Sequence, residues 1–267
     1  MSDKILVFIP MYNCMAQIPR VLAQLHDPAV AQWVHGVICV DNQSKDETLA
    51  VAGAAMESVP LPFRAVLRND DNYGLGGSHK VAIAYALAHG YSHLVVLHGD
   101  DQGSITDLIP HLAAGRHCDL DCLLGARFMK GSRLQGYSLL RTAANIVFNW
   151  IFSVVSGQSL YDLGSGLNLY RTAIFADRFH HRFADDLTFN YYLILGSCQK
   201  RFRQQFFPLT WREDDQVSNA RLFRQGRKML RLLAHRILFP MDFLNAEHRT
   251  TARESYPSTV VQSWGAP

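Results

Sequence analysis

The sequence predicts an α/β fold, with a mostly parallel central sheet covered by helices on both faces. Three observations carry that prediction. Short aliphatic runs, each the length of one buried strand, alternate with segments of helical periodicity through the first half of the chain. Each run stops at a polar, turn-forming tip, as at Asn13, Asp41 to Ser44, Asn69 to Ser78 and Asp100 to Gln102, and parallel sheets gather such tips on one edge. At 267 residues, 48% hydrophobic and 18% charged, the chain can bury a sizeable core, and it shows no internal repeat or low-complexity tract.

The elements follow in order. Ile5-Leu6-Val7-Phe8-Ile9 predicts a buried strand ended by Pro10, whose ring fixes the backbone entering Met11-Tyr12-Asn13. Met15 to Leu25 has helical periodicity. Gly36 to Val40 predicts the second strand; it stops at Asp41-Asn42-Gln43-Ser44, and Asp46-Glu47 opens a helix with an acidic first turn. A third strand, Arg64 to Arg68, leads through Asn72-Tyr73-Gly74-Leu75-Gly76-Gly77-Ser78 into a helix from Lys80 to His89. The fourth strand, Leu94 to Leu97, delivers His98-Gly99-Asp100-Asp101-Gln102, and a helix over Ile105 to Ala113 follows. Cys122 to Ala126 predicts a fifth strand ending at Arg127. A long helix runs from Leu139 to Val155 and another from Thr188 to Leu195. Gln205 to Trp211 predicts a strand that Pro208 places at a sheet edge. A basic helix covers about Ala220 to Phe239. From Asn245 the chain is polar and aperiodic, which predicts a loosely attached tail over 245–267 beyond a single domain of residues 1–244.

Composition excludes several classes. A net charge of +3 is too small to imply nucleic-acid binding. Five scattered cysteines, odd in number and set among apolar residues, predict reduced core thiols rather than a disulfide framework. Cys118 and Cys122 have no matching second pair, so their spacing predicts no zinc site. Met1-Ser2-Asp3-Lys4 runs into a strand without a cleavable leader, which predicts a cytoplasmic protein. No apolar stretch reaches the ~20 residues of a spanning helix. The nearest, Ala143 to Val155, is interrupted by Asn145, Asn149 and Ser153, spaced by four as a narrow polar stripe on an apolar cylinder. Such a helix is either sandwiched in the core or lies in a lipid headgroup boundary, and the basic helix after Asn219 suits an anionic lipid surface.

Two stretches carry chemistry by their residue types. Asp100, Asp101 and Gln102 offer hard oxygen donors of the kind that hold Mg²⁺ or Mn²⁺ against a diphosphate, or form a turn followed by a helix cap. The glycines at 74, 76 and 77, ahead of a helix, could present backbone N–H groups to an anion, although they match neither the dinucleotide nor the Walker spacing.

Several segments in order resemble glycosyltransferase family 2, in particular its dolichol- and polyprenol-phosphate mannose and glucose synthases. They are Ile9-Pro10-Met11-Tyr12-Asn13, Val40 to Thr48, Asn72 to Ser78, the acidic tip at Asp100, Gly125-Ala126-Arg127-Phe128, and Asp162 to Gly166; the likeness runs from about Ile5 to about Met229. It implies a GT-A fold with a nucleotide-sugar-binding half, about 1–120, and an acceptor-binding half, about 121–244. It further implies that Pro10, Tyr12, Asn13, Asp41, Asn72, Gly74, Gly76, His98 and Asp101 contact the donor, and that Asp100 and Gln102 hold a divalent cation, Mg²⁺ or Mn²⁺. Arg127, Arg141 and Arg212 stand where the family binds an acceptor phosphate, with Asp162, Ser165 and Ser218 beside them.

The chain departs from the pattern at three places. His98 replaces the first aspartate of an Asp-x-Asp motif, Asn42 replaces the second aspartate of the earlier segment, and Ser218-Asn219 replaces a Ser-Lys pair. His98 is open to three readings: a hydrogen-bonded core histidine, a diphosphate contact, or a metal ligand. The resemblance implies an inverting transfer from a nucleoside diphosphate sugar, with Asp100 and Arg127 assisting departure of the diphosphate. A polyprenyl phosphate acceptor is already anionic and needs no base, and it would place the protein peripherally at the cytoplasmic membrane face. A saccharide hydroxyl needs a base, for which Asp186 is the candidate. A catalytically silent nucleotide-binding module is the third alternative, raised by His98 and Asn42.

Overall fold

The aliphatic runs become strands because both of their faces are covered. The computed structural model describes residues 3–213 and 222–267. In chain order the elements are β1 (Ile5–Met11), α1 (Ile18–Ala23), α2 (Pro28–Ala31), β2 (Val34–Asp41), α3 (Thr48–Met56), β3 (Phe63–Asn69), α4 (Gly74–Ala88), β4 (His93–Leu97), α5 (Ile109–Ala113) and α6 (Arg116–Asp119). There follow β5 (Cys122–Ala126), β6 (Arg133–Gln135), α7 (Leu139–Ser156), β7 (Leu167–Arg171), α8 (Phe189–Gln199), β8 (Gln204–Pro208), β9 (Thr210–Arg212), α9 (Leu222–Leu238) and β10 (Ser258–Trp264). The main sheet has the order β10-β3-β2-β1-β4-β7-β5-β8, in which β7 and β10 run against the others.

Alternate residues of the strands feed two cores. Leu6, Phe8, Ile38, Val40, Ala65 and Leu67 meet Val81 and Ile83 of α4, Leu193 of α8 and Leu232 of α9. On the other face Val7, Ile9, Val37, Cys39 and Val66 meet Ile18 and Leu22 of α1, Met56 of α3 and Leu112 of α5. This is the period-2 logic of a strand buried on both sides.

Register puts the polar tips at one rim. Phe8 lies opposite Ile38 on β2 and Val96 on β4, so Asp41, three residues beyond Ile38, and Asp100, four beyond Val96, leave the sheet at the same end. Both tips bond to the end of β1: the Asn42 N–H donates to the Met11 carbonyl at 2.9 Å and the Gly99 N–H to the Pro10 carbonyl at 3.3 Å. Asp41 and Asp100 therefore flank one strand, two strand spacings or about 10 Å apart across the sheet.

Three expectations change, and one unforeseen strand is added. Residues 258–264 are not part of a loose tail: β10 pairs antiparallel with β3 along the sheet's outer edge. Its Thr259, Val260 and Val261 are β-branched, but a register shift between Val260 and Gln262, together with exposure of the edge, removes the alternation that marks a strand. The predicted strand over Gln205 to Trp211 breaks at Leu209. Its first half, β8, takes the sheet edge that Pro208 predicts, while β9 pairs with β6 in a separate ribbon. The segment at Leu167 to Tyr170 is the antiparallel strand β7. Finally, α7 is long and apolar enough by length and composition to cross a membrane, at 18 residues. At 1.5 Å per residue it is about 27 Å long, close to a hydrocarbon core.

Candidate functional site

The loops after β1, β2 and β3 interlock. Asp41 is buried, and its carboxylate accepts the Ser44 N–H at 3.2 and 3.3 Å, with Arg68 Nε 3.9 Å away. Asn13, at a φ of 50°, donates its N–H to Ser44 Oγ at 3.0 Å and accepts the Lys45 N–H on its side-chain oxygen at 2.8 Å. Asn42 joins three segments: its Nδ2 donates to Asn72 Oδ1 at 2.9 Å, while its Oδ1 accepts from Asn69 Nδ2 at 3.0 Å and from the Tyr73 N–H at 2.9 Å. An amide here both donates and accepts, which a carboxylate cannot do, so the departure at Asn42 has a structural reason. Tyr12 stands exposed beside these loops. Pro10 acts through its carbonyl, which holds the Gly99 turn.

The glycine-rich turn is not an open anion cradle. Gly76 and Gly77 both donate their N–H groups to the Asp185 carbonyl, at 2.7 and 3.4 Å, and the Gly74 N–H goes to Asn72 Oδ1 at 3.1 Å. A Cβ on Gly74 or Gly76 would sit 2.5 Å from the carbonyl oxygen of Asp185 or Ala184. These glycines let two backbones approach closely, and they bring the 184–186 segment beside Asn72.

At the end of β4 the acidic tip splits its roles. Asp100 accepts the Gln102 N–H at 3.3 Å; burial pushes its carboxyl up to about 6, with Arg127 opposing and Asp101 adding to the rise. Asp101, at a φ of 58°, turns its carboxylate away, to Arg20 Nε at 2.7 Å, Gln24 Nε2 at 3.3 Å and an Arg212 Nη at 3.3 Å. These bonds anchor the turn to α1 and β9. Arg212 is engaged at the same place, its N–H donating to the Gln102 carbonyl at 3.0 Å.

His98 donates its backbone N–H to the Gly166 carbonyl at 2.9 Å, and a Cβ on Gly166 would lie 2.9 Å from its ring. The buried ring nitrogen Nε2 has no hydrogen-bond partner among the described residues. Burial, with Arg127 nearby, pushes the ring down to about 4, so it is neutral near pH 7. Asp100, Gln102 and His98 follow β4 within five residues, and their carboxylate, amide and imidazole are donor types that a divalent cation of the Mg²⁺ or Mn²⁺ kind accepts. Such ions keep much of their shell as water and substrate phosphate, so a partial protein set suffices.

The acceptor-side arginines are all paired. Arg127, at the end of β5, makes a bidentate pair with Asp162, Nε to Oδ2 at 2.7 Å and Nη2 to Oδ1 at 2.9 Å, and lies over the Trp211 ring at 4.7 Å. Burial opposes its charge, but Asp162 more than compensates and raises the guanidinium pKa above its ordinary value. Asp162 also accepts the N–H groups of Arg127 and Gly164, at 2.9 and 3.0 Å. It is the counter-ion and positioning partner of Arg127. The buried Ser165 hydroxyl bonds to Asn168 Oδ1 at 3.1 Å and the Leu167 carbonyl at 3.4 Å, holding the start of β7. Arg141, in the first turn of α7, pairs with Glu213 at 2.7 Å and lies over the Tyr137 ring at 4.5 Å. Ser218 lies outside the described residues.

Asp186 is fully engaged. Its Oδ1 accepts the Thr188 N–H at 2.8 Å and hydroxyl at 2.5 Å, and its Oδ2 pairs with Lys228 of α9. Burial raises its pKa, but these bonds more than offset that and hold the carboxyl below the ordinary range. The adjacent Asp185 accepts from Lys80 at 2.6 Å and from the Tyr256 hydroxyl at 2.8 Å. Lys80 is buried, and burial pushes it down to about 8. Sequence reasoning missed this lysine; a lone charge among the small and apolar residues of Gly76 to Ala84 was the available signal. A cleft of about 620 Å³ opens here, lined by Asn72, Gly74, Asp186, Lys228, Arg231 and Arg253 among others.

Comparisons with known proteins agree with this geometry. The family model described as glycosyl transferase family 2 matches residues 6–179. Polyprenol monophosphomannose synthase of Mycolicibacterium smegmatis is 24% identical over 65% of the chain and 63% of its own length. Undecaprenyl-phosphate mannosyltransferase of Micrococcus luteus is 28% identical over 63% of the chain and 66% of its own length. The chain thus spans slightly under two thirds of these relatives. Among solved structures, glucosyl-3-phosphoglycerate synthase of M. tuberculosis superposes with a TM-score of 0.61 at 17% identity, covering 89% of this chain and 80% of that one. S. aureus TarS in complex with UDP-GlcNAc superposes with a TM-score of 0.57 at 19% identity, covering 88% and 67%. These two likenesses establish a shared GT-A fold.

Proposed function

The chain belongs to glycosyltransferase family 2, and from that premise we propose that it moves a sugar, with inversion, from a nucleoside diphosphate sugar to a polyprenyl phosphate at the cytoplasmic face of a membrane. Residues 1–120 would serve the donor and 121–244 the acceptor. Two similar proteins are named for polyprenyl phosphates, and a structural neighbour from M. tuberculosis was crystallised with Mn²⁺ and UDP.

The observation that most supports a lipid acceptor is the orientation of α7. Its polar stripe faces the protein, with Asn149 Nδ2 donating to the Tyr161 carbonyl at 2.6 Å and Ser153 Oγ accepting the Leu160 N–H at 2.9 Å. Its apolar side faces outward: Leu139 is 86% exposed, Leu140 80%, Trp150 67% and Val154 64%. The adjoining α9 exposes Leu230, Ile237 and Leu238 beside Arg227, Lys228 and Arg231. An outward apolar face rimmed by cations is the pattern of a helix lying in a lipid interface, and Arg141 in the first turn of α7 is placed to meet a phosphate there.

The residue roles follow. Asp41, Asn13 and Asn72 receive the nucleoside; Asp100, Gln102 and the unpaired His98 Nε2 would hold the cation, which when bound offsets the charge of the departing diphosphate. Arg127, fixed by Asp162, directs its positive field toward Asp100 and the developing charge. Arg141 and Arg212, each partly exposed, can exchange Glu213 and Asp101 for the acceptor phosphate. A phosphate oxygen attacks the anomeric carbon without a base. The competing hydroxyl acceptor requires Asp186 to take a proton, and a carboxylate held below its ordinary range by Lys228 and Thr188 is a weak base.

The test is direct. Purified protein is incubated with Mn²⁺, labelled UDP- and GDP-sugars, and undecaprenyl phosphate in detergent. A labelled lipid-linked sugar is expected; transfer only to saccharide hydroxyls, lost in Asp186→Asn, would support the alternative, and nucleotide binding without turnover would support a silent module.

A further inference from the structure

At the other end of the sheet, three side chains that the proposed reaction does not use come together. Asp3 precedes β1, and His117 and Cys118 belong to α6. His117 Nε2 lies 3.2 Å from Asp3 Oδ2, and Cys118 Sγ lies 3.5 Å from the same oxygen and 3.6 Å from His117 Nε2. In a tetrahedral zinc shell with Zn–N and Zn–O near 2.1 Å and Zn–S near 2.3 Å, nitrogen and oxygen ligands stand about 3.4 Å apart, and sulfur about 3.6 Å from either. All three measured edges lie within about 0.2 Å of that triangle. One cation at the apex would take all three groups as ligands at once.

The surroundings support a built site. His117 is buried, and its Nε2 is the ring nitrogen that faces Asp3 and Cys118. Arg171 donates to the carbonyls of His117 and Cys118 and fixes their loop. His93 Nδ1, 3.7 Å from Asp3 Oδ1, flanks the carboxylate on its other side. Cys118 is exposed, which gives an ion a way in and leaves a fourth position for water. Among the described residues this is the one group of three or more His, Cys, Asp or Glu side chains within such reach. A thiolate, an imidazole and a carboxylate select a borderline ion such as Zn²⁺ over the Mg²⁺ or Mn²⁺ that oxygen donors hold.

We infer that Asp3, His117 and Cys118 form a zinc site that fastens the start of β1 to α6, at the opposite edge from the Asp41 and Asp100 rim. Binding replaces the Cys118 thiol proton with the metal–sulfur bond and releases that proton to solvent, so affinity falls about tenfold per pH unit below the thiol pKa. The inference does not depend on the proposed reaction.

Co²⁺ titration of the full chain tests it. The expected result is a thiolate-to-cobalt absorption band that saturates at one equivalent, is displaced by Zn²⁺, and releases one proton per ion in weak buffer. Cys118→Ser, at an exposed position that leaves the fold intact by circular dichroism, abolishes the band. Asp3→Asn weakens binding at least about tenfold, since loss of even an outer partner costs 10–100-fold. Absence of the band in the unaltered chain, or its survival in Cys118→Ser, would overturn the inference.

Discussion

Replacing Asn42 with aspartate restores the residue that the family's pattern has at that position, and the structure predicts that it destabilises this chain. Asn42 is buried, and its Nδ2 faces Asn72 Oδ1 at 2.9 Å. In Asn42→Asp an oxygen faces that oxygen, next to the Asp41 carboxylate. Asn72 can turn its amide to donate instead, but its Oδ1 then leaves the Gly74 N–H, which it accepts at 3.1 Å. Either way one hydrogen bond at the exposed Asn72 side chain is lost, at a cost of about 0.5–1.5 kcal/mol. For a chain of this size each kcal/mol lowers Tm by roughly 2–4 °C, so a fall of roughly 1–6 °C is expected. Thermal unfolding followed by circular dichroism measures it, and nucleotide affinity should fall with it because the same bonds hold Asn72 against Asp41. A variant as stable as the parent, or more so, would refute the role assigned to this amide.

Three other outcomes are expected. Arg127→Ala leaves buried Asp162 without its partner and should cost about 3–5 kcal/mol in urea unfolding; a loss below about 1 kcal/mol would show the pair to be dispensable. Leu139→Glu with Leu140→Glu changes two side chains already in solvent, so Tm should barely move while co-sedimentation with anionic vesicles is lost; undiminished sedimentation would remove α7 from the membrane contact. Burial pushes His79 and His180 down to about 3 and His98 to about 4, all below the unfolded value near 6.5. The unfolded chain then binds protons that the folded chain refuses, so stability is whole above about pH 7 and falls on acidification through 6.5, by up to about 1.4 kcal/mol per pH unit for each ring. His79→Phe should reduce that slope by one ring's share, and an unchanged slope would contradict the burial argument.

The first strands were legible because Leu6-Val7-Phe8 and Leu94-Val95-Val96 are buried on both faces, and their parallel pairing was enough to bring Asp41 and Asp100 to one rim. What escaped was whatever depends on partners remote in sequence. Asp101 reads as one of a pair with Asp100 until Arg20, Gln24 and Arg212 turn it away. Nothing near Asp162 in the sequence announces its pairing with Arg127, 35 residues away. Cys118 carries no zinc spacing because its companion Asp3 arrives from the chain's other end. β10 lies at an edge, where exposure erases the alternation of a half-buried strand.

Calorimetric titration of UDP and GDP into the protein, with and without Mn²⁺, tests the shared rim most directly. One of the two should bind in a Mn²⁺-dependent way, and both Asp41→Ala and Asp100→Asn should weaken that binding at least about tenfold, as loss of about 1.4 kcal/mol implies. Binding that ignores Mn²⁺ and survives both substitutions would contradict a donor site built between these two aspartates.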